Sequence, residues 1–309
     1  MYHELGKSAK ESEHFSEAEI ELFKKSGRIS AEVLEFGRKL IKKGAKPLDI
    51  LDAVEQKIKE MDATCAFPPQ MSLNDAAAHS CPDDGDKTVL GDDVVKLDLG
   101  VHVGGYVTDN AVTVDLSGKW SQLLKANKEA LDAALKLAVP GTRVSEIGKT
   151  VHDILQSYGY NPVRNLSGHG IGQFQVHTQP SIPNFNTADT AELAAGMALA
   201  IEPFASTGSG VVYESGEAGV FALQQKKPIR DMISRNVLKH IEIYNGLPFA
   251  KKWLTRAFGS GKTNFALRQL IQHEILHEYL PLVDQQHGIV SQMEKSVVVA
   301  EKPIILTKV

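Results

Sequence analysis

The sequence predicts an α+β fold in which an antiparallel sheet is flanked by helices. Helical segments are predicted in the first 60 residues and again near 120 to 138 and 144 to 158, whereas the segment from 94 to 115 alternates with a period of two. The run from 291 to 309 returns to β-branched, strand-forming residues. Helices and strands therefore occupy separate stretches of the chain, which is typical of α+β proteins.

The first two helices are predicted from their starting residues. Ser16 and Glu19 match the S-x-x-E capping box, which predicts a helix in the stretch that ends at Gly44. Pro47 opens a second helical stretch with one apolar stripe. That stripe comprises Leu48, Leu51, Val54, Ile58 and Met61. A short strand is predicted later, from Leu199 to Phe204.

The alternating segment predicts a hairpin that carries two carboxylates. If Gly104 and Gly105 form its two-residue loop, Gly100 lies opposite Asp109, and Asp98 becomes a diagonal neighbour of Asp109 on the same face. Two carboxylates this close repel each other, and a bound cation relieves that repulsion. From the hairpin alone, a solvated sheet face carrying both aspartates stays an equal alternative.

A helical insertion is predicted at residues 216–285. Helix-like runs at 231 to 245 and 265 to 280 are separated by the glycine-containing segment FGSGKT. We therefore divide the chain into a first catalytic segment at 1–215, the insertion at 216–285 and C-terminal catalytic strands at 286–309.

Two short motifs in this insertion suggest other chemistry. HEILH at 273–277 matches the zinc-binding helix motif H-E-x-x-H, with Glu294 or Glu301 as conceivable third ligands, but its polar neighbours favour a solvated helix face. GSGKT at 259–263 resembles the end of a phosphate-binding loop. Arg256 stands where that loop needs its first glycine, which favours a simple loop and helix start.

The composition excludes several classes of protein. The 34 basic and 38 acidic residues are nearly balanced, so no general surface for DNA is expected. Cys65 and Cys81 are too few for a disulfide scaffold and favour a reducing, cytoplasmic location. The N-terminal residues lack an apolar signal core, and no apolar run is long enough for a membrane span.

Three more titratable residues stand in apolar or glycine-rich segments, where a charged side chain needs a reason. They are His169 in NLSGHGIG, Glu202 in ALAIEPFAS and Glu294 in SQMEKSVVV. With AFPPQMSLNDAAAH at 66–79 and VVKLDLGVHVGGYVTDNAV at 94–112, these segments resemble the type 2 methionine aminopeptidases, in the order of that family. The short N-terminal extension resembles the archaeal members. The resemblance implies the pita-bread fold with a helical, winged-helix-like insertion.

The resemblance also implies a centre with two divalent metal ions. Asp98 would bind one ion, Asp109 and Glu294 both, and His169 and Glu202 the second. One histidine and four carboxylates suit manganese, iron, cobalt or zinc without choosing among them. Glu202 is implied as the proton shuttle of peptide hydrolysis.

By the same resemblance, His177 would donate to the carbonyl oxygen and His79 would lie beside the scissile amide. Each is catalytic and substrate-binding in this interpretation. Phe67 and Val176 are implied as walls of the methionine pocket, although core packing explains them nearly as well.

The implied activity is removal of the initiator methionine from nascent proteins with a small second residue. The expected partner is the N-terminal peptide of the nascent chain; ribosome contact is left open, and a monomer without DNA or membrane partners is expected. The alternatives are an X-Pro aminopeptidase or prolidase of the same fold and a non-catalytic binding relative.

Overall fold

The computed structural model describes residues 14–308, so the start of the predicted 1–215 segment and Val309 lie outside the described residues. Its helix α1 covers Glu17–Leu40 and starts at the predicted capping box, where Ser16 and Glu19 bond reciprocally. The helix ends before Gly44 because Ile41 takes an extended conformation with its side chain buried in the core. Helix α2 covers Pro47–Glu60 as predicted.

The predicted hairpin forms the centre of the first sheet. Strand β1 covers Thr64–Leu73, β3 covers Val94–Val103 and β4 covers Tyr106–Asp115, and they pair antiparallel in the order β1-β3-β4. Helices α1 and α2 cover one face of this sheet and share an apolar core with β1 and β3. The short strand β2, Ala76–Ala78, lies between β1 and β3 in sequence.

A second sheet, covered by two further helices, forms the next layer of the fold. Helices α3, Ser121–Lys136, and α4, Val144–Ser157, match the predicted segments and pack on a five-stranded sheet with the order β17-β16-β8-β6-β7. Those strands are β6 Ser167–Gly172, β7 Gln175–Pro183, β8 Ala198–Ile201, β16 Lys295–Val298 and β17 Ile304–Ile305.

Short strands connect these layers. The strand predicted from Leu199 to Phe204 is divided into β8 and β9, with Glu202 between them. Strand β9 pairs with β5 and β15, and β14 pairs with β10 and β2. Their bounds are β5 Asn161–Pro162, β9 Phe204–Ser206, β10 Val212–Glu214, β14 Leu282–Asp284 and β15 Val290–Gln292.

The segment from 216 to 285 has its own apolar core and is not purely helical. Its helices are α5 Met232–Ile241, a short 3-10 helix Glu242–Tyr244, α6 Lys251–Phe258 and α7 Ser260–Gln272. Three strands, with the order β12-β11-β13, complete it: β11 Val220–Leu223, β12 Phe249–Ala250 and β13 Leu276–Tyr279. Helices on a small antiparallel sheet agree with the winged-helix-like character; the boundaries at 215 and 285 stay predictions.

The helix predicted over 265 to 280 is wrong beyond Gln272. Glu274 has a positive φ of 55°, which ends the helical path, and β13 then pairs with β11. Burial of Ile275 and Leu276 in the core of this segment explains the change of direction. Within residues 14–308, no helix has the length and apolar character needed to cross a membrane.

Candidate metal centre

The hairpin has the register that its glycine loop predicts. Gly100 pairs with Asp109, and Asp98 pairs with Ala111. Gly100 must lack a side chain, because a Cβ there would lie 2.2 Å from Cε1 of Phe67. Asp98 and Asp109 are therefore diagonal neighbours on one face of the sheet, as the sequence predicts.

Three other strand segments bring the remaining predicted ligands to this face. His169 lies on β6 opposite Ala200 of β8, and Glu202 follows the end of β8. Glu294 lies between β15 and β16, where its backbone N–H donates to the carbonyl of Ala111 at 3.1 Å. The centre is thus formed where the two sheets meet.

Four of the five predicted ligands converge, and Asp98 is connected to them through the amide of Gln292. His169 Nε2 lies 3.7 Å from Asp109 Oδ2 and 3.6 Å from Glu202 Oε1. Asp109, His169 and Glu294 each offer a ligand atom, and these atoms lie within 4.8 Å of one another. Across residues 14–308, this is the one group of three or more His, Cys, Asp or Glu side chains that converges in this way.

Gln292 is a residue of this centre that the sequence interpretation missed. Its amide Nε2 lies 3.3 Å from Asp98 Oδ2, 3.3 Å from Glu202 Oε2 and 3.4 Å from Glu294 Oε2. Residues 292 and 294 flank one position of an extended segment, so period-two alternation places them on the same side. The two-residue spacing between Gln292 and Glu294 is the sequence signal that could have identified Gln292 as a residue of this centre.

The carboxylates are held in an unfavourable electrostatic state. Burial raises the pKa of Asp98 to about 6. The pKa values of Asp109, Glu202 and Glu294 are raised well above their usual range. Burial is the larger cause, and repulsion from the neighbouring carboxylates adds to it. Like charges gathered in a buried place without a paired cation disfavour ionisation.

This donor set fits divalent metal ions. Asp98 Oδ1, Asp109 Oδ1 and Glu294 Oε1 are buried without a hydrogen-bond partner, although buried carboxylate oxygens are normally satisfied. Burial lowers the pKa of His169 to about 4, so its imidazole is neutral at neutral pH. His169 Nδ1 lies 3.1 Å from the carbonyl oxygen of Gly170, and donation there leaves the Nε2 lone pair directed at the carboxylates.

The two other predicted histidines lie at the edge of the centre. The ring of His177, on β7, packs edge-on at 4.3 Å from the ring of His169. His79 Nδ1 contacts the carbonyl of Leu280 at 3.2 Å, and burial lowers the pKa of His79 to about 4. Its ring also packs against Tyr279 at 5.4 Å, so β13 of the insertion reaches the site.

The predicted pocket residues lie together in one apolar cluster. Phe67 and Val176 are 5% and 7% exposed and belong to the same core cluster. Their contribution to a methionine pocket stays a prediction, because core packing accounts for the same burial.

The two competing motifs do not form the sites that they suggest. His273 follows the end of α7 and His277 lies on β13, so HEILH is not on one helix face. GSGKT begins α7 directly after α6, as the loop and helix-start interpretation predicts, and no strand precedes it.

The fold is that of the pita-bread metallohydrolases. A methionine aminopeptidase from Thermotoga maritima superposes with a TM-score of 0.72 at 23% identity, over 96% of this chain and 100% of the other. A thermophilic Arx1 gives 0.85 at 16% identity, over 94% and 91%. A prolidase from Pyrococcus furiosus gives 0.63 at 19% identity, over 96% of this chain and 65% of the prolidase. At these identities the likeness establishes the fold.

Sequence comparison is more specific. The pattern of metallopeptidase family M24 matches residues 21–227. Methionine aminopeptidases from Thermococcus onnurineus and Archaeoglobus fulgidus are each 40% identical, over 94% and 91% of this chain and 99% and 96% of their own length. The chain belongs to metallopeptidase family M24, in its methionine aminopeptidase branch. The family and fold that the sequence motifs predict are confirmed.

Proposed function

We propose that this chain is a type 2 methionine aminopeptidase that removes the initiator methionine from nascent proteins with a small second residue. The observation that carries the proposal is the convergence of Asp109, His169, Glu202 and Glu294, to which the Gln292 amide connects Asp98. Asp98, Asp109 and Glu294 each have a buried carboxylate oxygen without a hydrogen-bond partner. The archaeal relatives named methionine aminopeptidase support the same activity.

The five residues would hold two divalent ions, with Asp98 on one, Asp109 and Glu294 on both, and His169 and Glu202 on the other. Such a pair, when bound, supplies an activated water and a polarised scissile carbonyl. The oxygen-rich donor set admits cobalt, manganese, iron or zinc.

Glu202 is placed to move a proton. The Gln292 amide fixes Glu202 Oε2, while Oε1 faces His169 Nε2 at 3.6 Å. A carboxylate held beside the scissile amide can take a proton during attack and deliver it to the leaving amine, which is the role we assign to Glu202.

The histidines would orient the substrate. His177 lies beside His169 and can donate a hydrogen bond to the carbonyl oxygen, where negative charge develops. His79 donates from Nδ1 to Leu280, so its Nε2 can accept a hydrogen bond from a substrate N–H. Phe67 and Val176 would form part of the wall around the methionine side chain.

We further propose that the enzyme is a cytoplasmic monomer that acts on the N-terminal peptide of nascent proteins. With only two cysteines, Cys65 and Cys81, the chain suits a reducing compartment, which supports the cytoplasmic placement.

The test is metal-restored methionine release. The full chain is treated with chelator and assayed on Met-Ala-Ser before and after addition of Mn²⁺, Co²⁺, Fe²⁺ or Zn²⁺. We expect no release without metal and turnover with at least one ion. Glu202→Gln should lack turnover with every ion, because it removes both a metal ligand and the proposed proton shuttle. Equal turnover in the chelated protein would contradict the proposal.

A further inference from the structure

Lys96 is a buried lysine on the same strand face as Asp98. It lies two residues before Asp98 on β3, so strand alternation directs both side chains to one side of the sheet. The residue is only 1% exposed, whereas lysine is almost never fully buried without a partner. The predicted function gives this side chain no role.

The amino group of Lys96 binds backbone oxygens. Nζ donates to the carbonyl of Asn74 at 2.7 Å and to the carbonyl of Val290 at 3.0 Å. Asp75 and Asp93 are near enough to interact electrostatically with Lys96, but among the described residues its Nζ bonds only to the two backbone carbonyls. The buried amino group therefore connects two chain segments and does not form an ion pair.

Both segments lead directly to residues of the site. Asn74 precedes β2 and His79, and it takes a left-handed conformation with φ 54°. Val290 opens β15, two residues before Gln292 and four before Glu294. A single amino group thus joins the strand of Asp98 to the segments that carry His79, Gln292 and Glu294.

The residue opposite Lys96 holds the next part of β15. Lys96 pairs with Thr113 of β4, and Thr113 Oγ1 donates to the carbonyl of Gln292 at 2.6 Å. The N–H of Gln292 donates back to the same hydroxyl at 2.8 Å. Lys96 and Thr113 therefore bind consecutive parts of β15 from one face of the hairpin.

We propose that Lys96 is a positioning residue of the metal centre: its amino group fixes β15 on the β3–β4 hairpin so that Gln292 and Glu294 meet Asp98 and Asp109. This inference rests on the proposed function, because it assigns Lys96 a role in forming the proposed metal site. Removing the amino group takes one donor from each of the two carbonyls. The start of β15 is then held to this part of the chain only by the Val290 N–H bond to Asn74, the Thr113 bonds to Gln292 and its pairing with β9, so its position becomes less fixed. Small displacements of ligands weaken a metal site strongly.

The first test compares two buried lysines in the full-length protein. Lys96→Met keeps the length and apolar stem of the side chain but removes the donor. Lys252→Met is the matched control, because Lys252 is equally buried but pairs with Asp52 and Glu55 between α2 and α6. Calorimetric titration with Mn²⁺ should show about 10- to 100-fold weaker binding for Lys96→Met. Lys252→Met should keep the wild-type Kd.

A rescue experiment separates the amino group from general packing. Lys96→Ala leaves space that n-propylammonium matches in length and in N–H donors. Added n-propylammonium should restore Mn²⁺ affinity, whereas tetramethylammonium at the same concentration, which has no N–H donor, should not. If Lys96→Met does not fold, the alanine variant purified with n-propylammonium provides the same comparison.

The outcomes separate this inference from the proposed function. If wild-type protein binds no divalent metal, the proposed metal centre itself fails. If wild-type protein binds Mn²⁺ and Lys96→Met binds it with the same Kd, only the role of Lys96 is overturned. Equal rescue by both ammonium ions would also overturn it, because a filled space or a charge would then suffice.

Discussion

Asp98→Asn should have opposite effects on the protein without metal and with metal. The substitution keeps the shape of the side chain and removes one negative charge from the buried carboxylate group. Burial raises the pKa of Asp98 from 3.8 to about 6, so the folded state holds this proton more tightly than the unfolded state. The stability that this carboxyl contributes is therefore complete below about pH 4 and is lost as the pH rises through about 6.

The size of the effect follows from the pKa difference of about 2 units, at 1.36 kcal/mol per unit. In the metal-free protein, the raised pKa of Asp98 lowers the free energy of unfolding, relative to its value at low pH, by at most about 3 kcal/mol at pH 8 and by only about 1 kcal/mol at pH 4.5. Asparagine has no such penalty. Metal-free Asp98→Asn should therefore be more stable than wild type at pH 8, and the difference should shrink towards pH 4.5.

With metal bound, wild type should instead be more stable than Asp98→Asn. A ligand at about 1,000 times its Kd stabilises the folded state by about 4 kcal/mol, and the variant lacks one ligand for that ion. Urea denaturation of wild type and variant, each chelated and Mn²⁺-saturated, at pH 4.5 and 8 measures four free energies of unfolding for each protein. A metal-free variant that is less stable than wild type at pH 8 would refute the electrostatic reasoning.

The other predictions concern single side chains of the site. Asp109→Ala should abolish methionine release and most metal binding, and full metal occupancy in that variant would show that the ligands are misassigned. His177→Ala should lower kcat about 100- to 1,000-fold with unchanged metal content, because an oxyanion donor is lost; an unchanged kcat would exclude that role. His273→Ala, which changes an exposed side chain of HEILH, should keep activity within about 2-fold. Near-complete loss in a folded His273→Ala protein would revive the zinc-motif interpretation.

The part of the centre that lies on one hairpin could be predicted from residue spacing. Gly104 and Gly105 are both at positive φ, so the loop position fixed the register and with it the diagonal placement of Asp98 and Asp109. His169, Glu202 and Glu294 lie on strands far apart in sequence. Only the motif resemblance connected them, because spacing along one chain does not determine which distant strands pair.

Two features needed the three-dimensional arrangement. The apolar residues Ile275 and Leu276 fit either a helix or a strand. They continue into a strand because β13 pairs with β11, which lies about 50 residues earlier in the chain. Lys96 occupies a polar position in an alternating strand and would be expected on a solvated face. It is buried because β15 crosses that face and offers the Val290 carbonyl to its amino group.

The central claim is that the metal centre removes N-terminal methionine. The most direct measurement compares steady-state kcat/KM of the metal-restored enzyme on Met-Ala-Ser, Leu-Ala-Ser and Ala-Pro-Ala. We expect efficient cleavage of the methionine peptide alone, because the proposed methionine pocket would discriminate by side-chain shape. Preference for Ala-Pro-Ala would contradict the claim and place the activity with the X-Pro aminopeptidases and prolidases.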